Sequence, residues 1–220
     1  QKSNTSSESF YANLYDLLEF CRVSKIKPDS FCVSAAGVVC DGKISLSNNK
    51  LELDEKTLRL VSGIKNTRII NDMEAFCVGM NFIKAPKIVS LNNPKQCTDS
   101  LSVVINVGTG LGKSIFFINE DKLFVFPSEG GHAEYHSKRS GGTNFEYEDF
   151  VSGKMLLRHG VDSSSMNILV KSLACFIVNC MIDLMPFGGI YLTGGVIENN
   201  KEFIAKKLKS ELKQRMIKTN

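Results

Sequence analysis

Apolar residues recur along this chain with two different periods, and each period predicts a type of element. Residues 5–21 place apolar side chains three and four positions apart, which predicts an amphipathic helix. The stretch SFCVSAAGVVCDGKISL predicts a strand, a break at Gly37 and a hairpin that turns at Asp41 and Gly42. TRII predicts a short strand that leads into a helix over NDMEAFCVGM.

The second half of the chain predicts a sheet with covering helices. Strands are expected around 101–107, 113–119 and 122–126. NILVKSLACFIVNCMIDLM is apolar almost all round, which is typical of a buried helix. GIYLTGG predicts a strand that ends in a glycine turn, and an amphipathic, lysine-rich helix follows it. Hairpins mixed with strand–turn–helix units favour an α/β protein with a mixed sheet.

Residues 86–100 are polar and contain Pro86 and Pro94, which is typical of a passage between two parts of a protein. We therefore expect a small lobe over residues 1–98 and a large lobe over residues 99–220.

Composition narrows the functional class. Hydrophobic residues make up 43% of the 220 positions, enough for a packed core. The net charge of +4 comes without a basic cluster interleaved with aromatic residues, so we expect no nucleic-acid partner. We also expect no membrane span, because no uninterrupted apolar run approaches about 18 residues. Seven cysteines without a C-x-x-C pair favour reduced thiols in the cytosol and no metal held by the protein.

The glycine-rich stretch VVINVGTGLGKSIFF has three possible interpretations. A P-loop fails because its first glycine would fall on Val107 and because β-like SIFFI follows instead of a helix. A dinucleotide fingerprint fails because Lys113 stands where its third glycine should be. A Gly-Thr-Gly hairpin between two strands remains, and its N–H groups and the Thr109 hydroxyl can donate to a phosphate. A tight turn without a ligand is the alternative.

Three further motifs carry groups that suit ligand binding. LTGGV, residues 192–196, joins a strand to a helix through two glycines, a turn against which a nucleotide can lie. PSEGGHAEY places Glu129 and His132 on one turn, and a carboxylate with an imidazole can bind sugar hydroxyls. Glu148 in YEDFVSG follows downstream. Each could also be purely structural.

The motif IINDMEA delivers Asn71 and Asp72 from a strand to the start of a helix. A carboxylate there can cap the helix. It can also act as a general base at the rim of a cleft.

Taken in order, IIND, GTGLG, EGGH, YEDFVSG and LTGGV resemble the bacterial-type glucokinases, ATP-dependent hexose kinases of the actin/sugar-kinase/Hsp70 superfamily. The resemblance implies a two-lobed ribonuclease H-like (actin-like ATPase) fold. It implies phosphorylation of glucose to glucose 6-phosphate, the entry to glycolysis, in the cytoplasm, and a homodimer.

The resemblance also assigns roles to the sugar-side residues. It implies that Asp72 is the catalytic base that takes the proton of the sugar 6-hydroxyl and that Asn71 binds the sugar. Glu129 and His132 match the pair that holds the C1–C3 side of the ring, and Glu148 matches a further sugar-binding glutamate.

On the nucleotide side, the turn of Gly108, Thr109 and Gly110 matches the second phosphate-binding loop. Gly194 and Gly195 match the turn on the adenosine side. The implied cofactors are ATP and Mg²⁺, with no metal ligand from a protein motif.

The chain departs from the family pattern at both ends. The family's opening strand with its Asp-x-Gly-Gly-Thr loop and its closing strand and helix have no counterpart in this sequence, so we expect terminal elements to be missing from it. Two other functions stay open: a kinase for another hexose, because the sequence does not rank sugars that differ at one hydroxyl, and a sugar-binding regulator without catalysis, because the first phosphate loop is absent from this sequence. An actin- or Hsp70-like ATPase is more remote, because neither has a use for EGGH.

Overall fold

The computed structural model describes residues 7–46, 51–80, 82, 91, 97, 99–120, 122–135 and 144–216. The chain divides into two compact units, Gln1–Phe76 and Cys77–Asn220. The expected lobe boundary at residue 98 stays a prediction, because 83–90 and 92–96 lie outside the described residues.

The first unit combines two small sheets with helices. Its elements are α1 (Ser7–Val23), β1 (Ser30–Ala35), β2 (Val39–Cys40), β3 (Lys43–Ser45), β4 (Glu52–Asp54), α2 (Glu55–Ser62), β5 (Asn66–Asn71) and the start of α3 (Asp72–Met80). β1 pairs with β5 in parallel, whereas β2, β3 and β4 form an antiparallel sheet. Their shared core is built from buried Leu14, Ile44, Leu51, Leu53, Leu58 and Ile69.

The predicted hairpin at Asp41 and Gly42 is confirmed. Both residues adopt positive φ, 50° and 70°, and Cys40 pairs with Lys43 across the turn. Two central residues in the left-handed region match the right-handed twist of the flanking strands, as in a type I′ turn.

The second unit contains a four-stranded mixed sheet of order β11-β6-β7-β8. Its strands are β6 (Ser102–Val107), β7 (Leu111–Asn119), β8 (Lys122–Ser128) and β11 (Gly189–Thr193). β6, β7 and β8 run antiparallel, and β11 lies parallel to β6. The predicted mixed sheet is thereby confirmed, with each strand within a few residues of its expected place.

The remaining elements of this unit cover the sheet and carry the loops. They are a 3₁₀ turn (Gly130–His132), β9 (Glu134–Tyr135), β10 (Phe145–Glu146), a 3₁₀ turn (Tyr147–Asp149), α4 (Gly153–His159), α5 (Ser163–Leu184), α6 (Gly195–Asn199) and α7 (Lys201–Met216). α5 packs against α7, and both contribute to one core with Val103, Ile105 and Val107 of β6. β6 thus runs through this core and leads directly into the glycine turn that begins at Gly108.

One helix, α5, bears on the expectation that the chain has no membrane span. α5 is, by its 22 residues and its mean hydropathy of 1.7, long and apolar enough to cross a bilayer. Its side chains from Met166 to Cys180 are, however, largely buried in the core, including Leu169, Leu173 and Ala174 at 0% exposure. A core helix of a packed domain has the same composition, which explains the apolar sequence without a bilayer.

Candidate active site

In the first unit, Asn71 and Asp72 join β5 to α3. The Asn71 side chain is buried, and its Oδ1 accepts hydrogen bonds from the backbone N–H groups of Met73 (2.8 Å) and Glu74 (3.3 Å). Its Nδ2 donates to the carbonyl of Gly37 at 2.9 Å. Asn71 therefore caps α3 and fixes the loop after β1, while the exposed carboxylate of Asp72 accepts only from the N–H of Met73 within the described residues.

In the second unit, the predicted Gly-Thr-Gly hairpin joins β6 to β7. The N–H groups of Gly153 and Lys154, at the start of α4, donate to the carbonyls of Gly108 (2.8 Å) and Thr109 (3.2 Å). A Cβ on Gly153 would lie 2.8 Å from the Gly108 carbonyl oxygen. Only glycine lets α4 approach the hairpin this closely.

Glu148 is tied to the same hairpin from the other side. Its Oε2 accepts from the N–H of Leu111 at 2.9 Å, and its Oε1 accepts from the Lys154 ammonium at 3.1 Å. A Cβ on Gly110 would collide with this carboxylate. Burial alone would raise the pKa of Glu148, but the Leu111 N–H and the Lys154 ammonium together hold it below its usual value. Glu148 is thus a charged group at the edge of the glycine hairpin.

The EGGH motif forms the 3₁₀ turn that follows β8. The N–H of His132 donates to the carbonyl of Glu129 at 3.0 Å, which closes the turn. Gly131 is buried against the Leu111 backbone, and a Cβ there would collide with the Leu111 carbonyl oxygen. The turn therefore rests directly on the first residue of β7, which places Glu129 and His132 beside the hairpin.

His132 has a partner that the motif does not reveal. Its Nδ1 lies 2.6 Å from Oε2 of Glu146, on β10. This hydrogen bond raises the pKa of His132, opposed by desolvation, and the charges of Glu146, Glu148 and Glu129 act in the same direction as the bond. The Glu146 carboxylate requires a proton on Nδ1, which leaves Nε2 of the neutral ring as an acceptor.

The LTGG turn lies next to the hairpin. β11 is parallel to β6, with Thr193 opposite Asn106, so both strands end at the same edge of the sheet. Gly194 has a φ of 104°, and a Cβ there would collide with the Asn106 side chain and the Val107 carbonyl. Asn106 also lies 3.7 Å from the Cβ position of Gly108. The two predicted nucleotide turns therefore meet around one asparagine.

The second unit thus brings together the hairpin, the LTGG turn, the EGGH turn and Glu148, whereas Asn71 and Asp72 belong to the first unit. Sequence reasoning missed Glu146, Lys154 and Asn106. Lys154 follows the glycine of YEDFVSG directly, so its position at a helix start was the one available signal. No group of three or more metal-ligating side chains comes together within the described ranges.

Comparison with known proteins decides the family. The family model described as Glucokinase matches residues 1–146. The chain belongs to the glucokinase family. The resemblance drawn from the five motifs is therefore confirmed. Among curated glucokinases, that of Nostoc punctiforme is 30% identical over 172 residues, covering 76% of this chain and 49% of that protein. That of Trichormus variabilis is 32% identical over 108 residues, covering 49% of this chain and 32% of that protein.

Solved glucokinase structures share the fold. The Balamuthia mandrillaris glucokinase, determined in complex with glucose, superposes with a TM-score of 0.72 at 18% identity, covering 94% of this chain and 76% of that one. The ROK hexokinase of Thermus thermophilus gives 0.66 at 16% identity, covering 96% and 78%. The chain thus has the actin-like ATPase fold of these sugar kinases, and it spans about half or less of the length of the two curated relatives above.

Proposed function

We propose that this protein is a glucokinase that transfers the γ-phosphoryl group of ATP to the 6-hydroxyl of glucose. The observation that carries the proposal is the meeting of the EGGH turn, Glu148 and two glycine turns at one edge of the mixed sheet. Phosphoryl transfer depends on positioning and charge stabilisation, and this edge offers hydroxyl-binding and phosphate-binding groups side by side.

The hexose would be held by Glu129, His132 and Glu148. The Glu129 carboxylate is exposed and forms no hydrogen bond or ion pair within the part of the chain that the structure describes. It is therefore available to accept from two sugar hydroxyls. His132 offers Nε2, and Glu148 sits between the ring site and the hairpin. A site of this kind rejects a sugar that lacks one hydroxyl, because a protein group would then be left unpaired.

Asp72 would act as the general base. Its carboxylate is exposed at the start of α3, and the buried Asn71 amide fixes the backbone on which it stands. Such a base must come within about 2.6–3.2 Å of the 6-hydroxyl in the reacting state. Asn71 would bind the sugar directly, as the resemblance implied, while its Nδ2 bond to the Gly37 carbonyl holds the loop after β1.

ATP fits the two glycine turns. The Gly110 and Gly194 positions have no room for a Cβ, Thr109 is exposed at the tip, and Gly195 has open space around it. Gly108, Thr109 and Gly110 would contact the phosphates, and Gly194 with Gly195 the adenosine side. When bound, ATP would supply the phosphoryl group, and Mg²⁺ would balance the charge of its phosphates.

We further propose that residues 1–98 form a small lobe that carries Asp72 and that residues 99–220 form a large lobe that carries the nucleotide turns and the turn of Glu129 and His132. A cytoplasmic location is supported by seven cysteines that are all free thiols. A homodimer is proposed from family membership and is measurable by sedimentation.

The test combines turnover with binding. ADP release should be measured in a coupled assay with glucose, mannose and other hexoses, and glucose binding by calorimetry. Asp72→Asn should lower turnover by several orders of magnitude with glucose binding largely kept, while Asp16→Asn, an exposed aspartate of α1, should change neither.

Each alternative has its own signature. Preference for another hexose in the panel would replace glucose as the substrate. Glucose binding without turnover in the unmodified protein would indicate a sugar-binding regulator. Near-normal turnover in Asp72→Asn would remove Asp72 from the role of base.

A further inference from the structure

Asn106, the asparagine at which the two glycine turns meet, has no part in the function proposed above. It is the penultimate residue of β6, and its backbone lies opposite Gly112 of β7 and Thr193 of β11. The glycine hairpin begins two residues after Asn106, and the LTGG turn begins directly after Thr193. The Asn106 side chain therefore stands at the junction of the two turns.

The amide of Asn106 has a defined orientation at this junction. Its Oδ1 is the atom nearest to the Cβ position of Gly194, and it is also the nearest atom to the Cβ position of Gly108, at 3.7 Å. The oxygen is thus closer than the nitrogen to both glycines. The two N–H donors of Nδ2 are therefore turned away from the backbone of the two turns.

The Nδ2 donors are unpaired and accessible. The half-buried Asn106 side chain forms no hydrogen bond with any residue that the structure describes. Both polar atoms of the amide still reach the surface, because Asn106 is not among the described residues that hold a buried, unpaired nitrogen or oxygen. A half-buried amide without a protein partner takes its acceptor from water or from a ligand. A ligand that lies across the two turns can reach this one.

The position of Asn106 selects the part of a nucleotide that it would meet. In the proposed function, the hairpin of Gly108 to Gly110 contacts the outer phosphates, and Gly194 with Gly195 contacts the adenosine side. The group that joins these two parts of ATP is the α-phosphate. Its oxygens are charged acceptors, which form stronger hydrogen bonds with an N–H donor than neutral acceptors do.

From these observations we infer that Asn106 is a further nucleotide-binding residue, whose Nδ2 donates to the α-phosphate of ATP. The inference rests on the proposed function, because it takes the two turns as the nucleotide site. It adds a side-chain donor between the turns to the contacts proposed for the turns themselves.

The test measures nucleotide binding by calorimetry in the unmodified protein and three variants. Asn106→Ala removes the donors, and Asn106→Asp replaces them with a carboxylate that repels phosphate. Asn119→Asp makes the same change at an exposed asparagine at the other end of β7 and is the matched control. Loss of one hydrogen bond to a charged group should weaken ADP and AMP binding about tenfold in Asn106→Ala. Asn106→Asp should weaken both further, and the control should leave both unchanged.

Adenosine separates a lost phosphate contact from a distorted turn. Because it carries no phosphate, it should bind equally to all four proteins, and circular dichroism should show the same fold in each. Equal ADP affinity in all four proteins would overturn the role of Asn106. A loss for adenosine as large as that for ADP would also overturn it.

The proposed function fails in a different way. ADP binding that depends on Asn106, in a protein that phosphorylates no hexose, would overturn the kinase activity and support the α-phosphate contact. Hexose phosphorylation with equal ADP affinity in all variants would do the reverse. An unmodified protein that binds no ADP would overturn both.

Discussion

The two adjacent glycines of EGGH offer a sharp comparison, because a methyl group added at each would meet a different kind of neighbour. At Gly131 the Cβ would collide with the carbonyl oxygen of Leu111, which belongs to a strand paired on both sides. At Gly130 it would lie 2.6 Å from Cε and 2.8 Å from Nζ of Lys113, the far end of a flexible side chain. Neither glycine has a positive φ, so alanine is allowed by the backbone at both positions.

The expected cost follows from which neighbour can move. Gly131→Ala forces a shift of the turn or of β7, and overpacking of this kind costs about 1–3 kcal/mol. Gly130→Ala requires only that Lys113 change its rotamer, and the lower entropy of the unfolded chain offsets that by about 0.4–1 kcal/mol. We therefore expect Gly131→Ala to lower the free energy of unfolding by at least about 1 kcal/mol relative to Gly130→Ala.

Urea unfolding followed by circular dichroism measures this difference, provided that the free energy of unfolding falls with urea concentration at the same slope in both variants. Glucose affinity should also fall more in Gly131→Ala than in Gly130→Ala, because a shift of the turn at Gly131 displaces Glu129 and His132. If the two alanine variants had equal stability, the contact between the turn and the Leu111 carbonyl would be refuted.

Three further predictions concern single contacts. His132 has a raised pKa in the folded state, so its stabilisation is present below its unfolded pKa of about 6.5 and is lost as pH rises through the folded value. Glu146→Gln should therefore destabilise by at most about 1 kcal/mol near pH 5.5, since both groups are half exposed, and not at alkaline pH; an equal loss at both would contradict the pair. Leu173→Ala, at 0% exposure, should cost about 2–5 kcal/mol in the same unfolding assay, whereas Leu157→Ala, at 86% exposure, should cost little. Asn71→Ala removes three hydrogen bonds of a buried amide and should cost about 1–3 kcal/mol by thermal unfolding, with a stable variant arguing against the cap.

Much of the fold could be predicted from local patterns. The hairpin at Asp41 and Gly42, the passage from β5 into α3 and the apolar α5 each carry their signal within a few neighbouring residues. β4 and α2 were not predicted, because elements of three and eight residues are too short to show a clear hydrophobic period. α2 is stabilised instead by its Asp54 cap and by Leu58, which is buried in the core of the first unit.

The site could be predicted by residue type but not by partner. Glu129 and His132 stand out because a structural turn rarely needs both an acid and a histidine, whereas Glu148 was singled out by the family resemblance. Nothing local pairs His132 with Glu146, 14 residues away, since that contact depends on β9 lying beside β10. Likewise the bond from the Leu111 N–H to Glu148 spans 37 residues and exists only because the 3₁₀ turn lies against the hairpin.

The two backbone bonds from α4 to the glycine hairpin have a dynamic consequence. Because the Gly153 and Lys154 amides are held by the Gly108 and Thr109 carbonyls, the tip cannot move away from α4 without leaving two amides of the first helical turn unpaired. Deuterium should therefore enter both amides at one common rate, set by a joint opening event. A nucleotide that stabilises the tip would slow deuterium exchange at both amides together. Exchange at the start of α4 would therefore report on nucleotide binding at the hairpin.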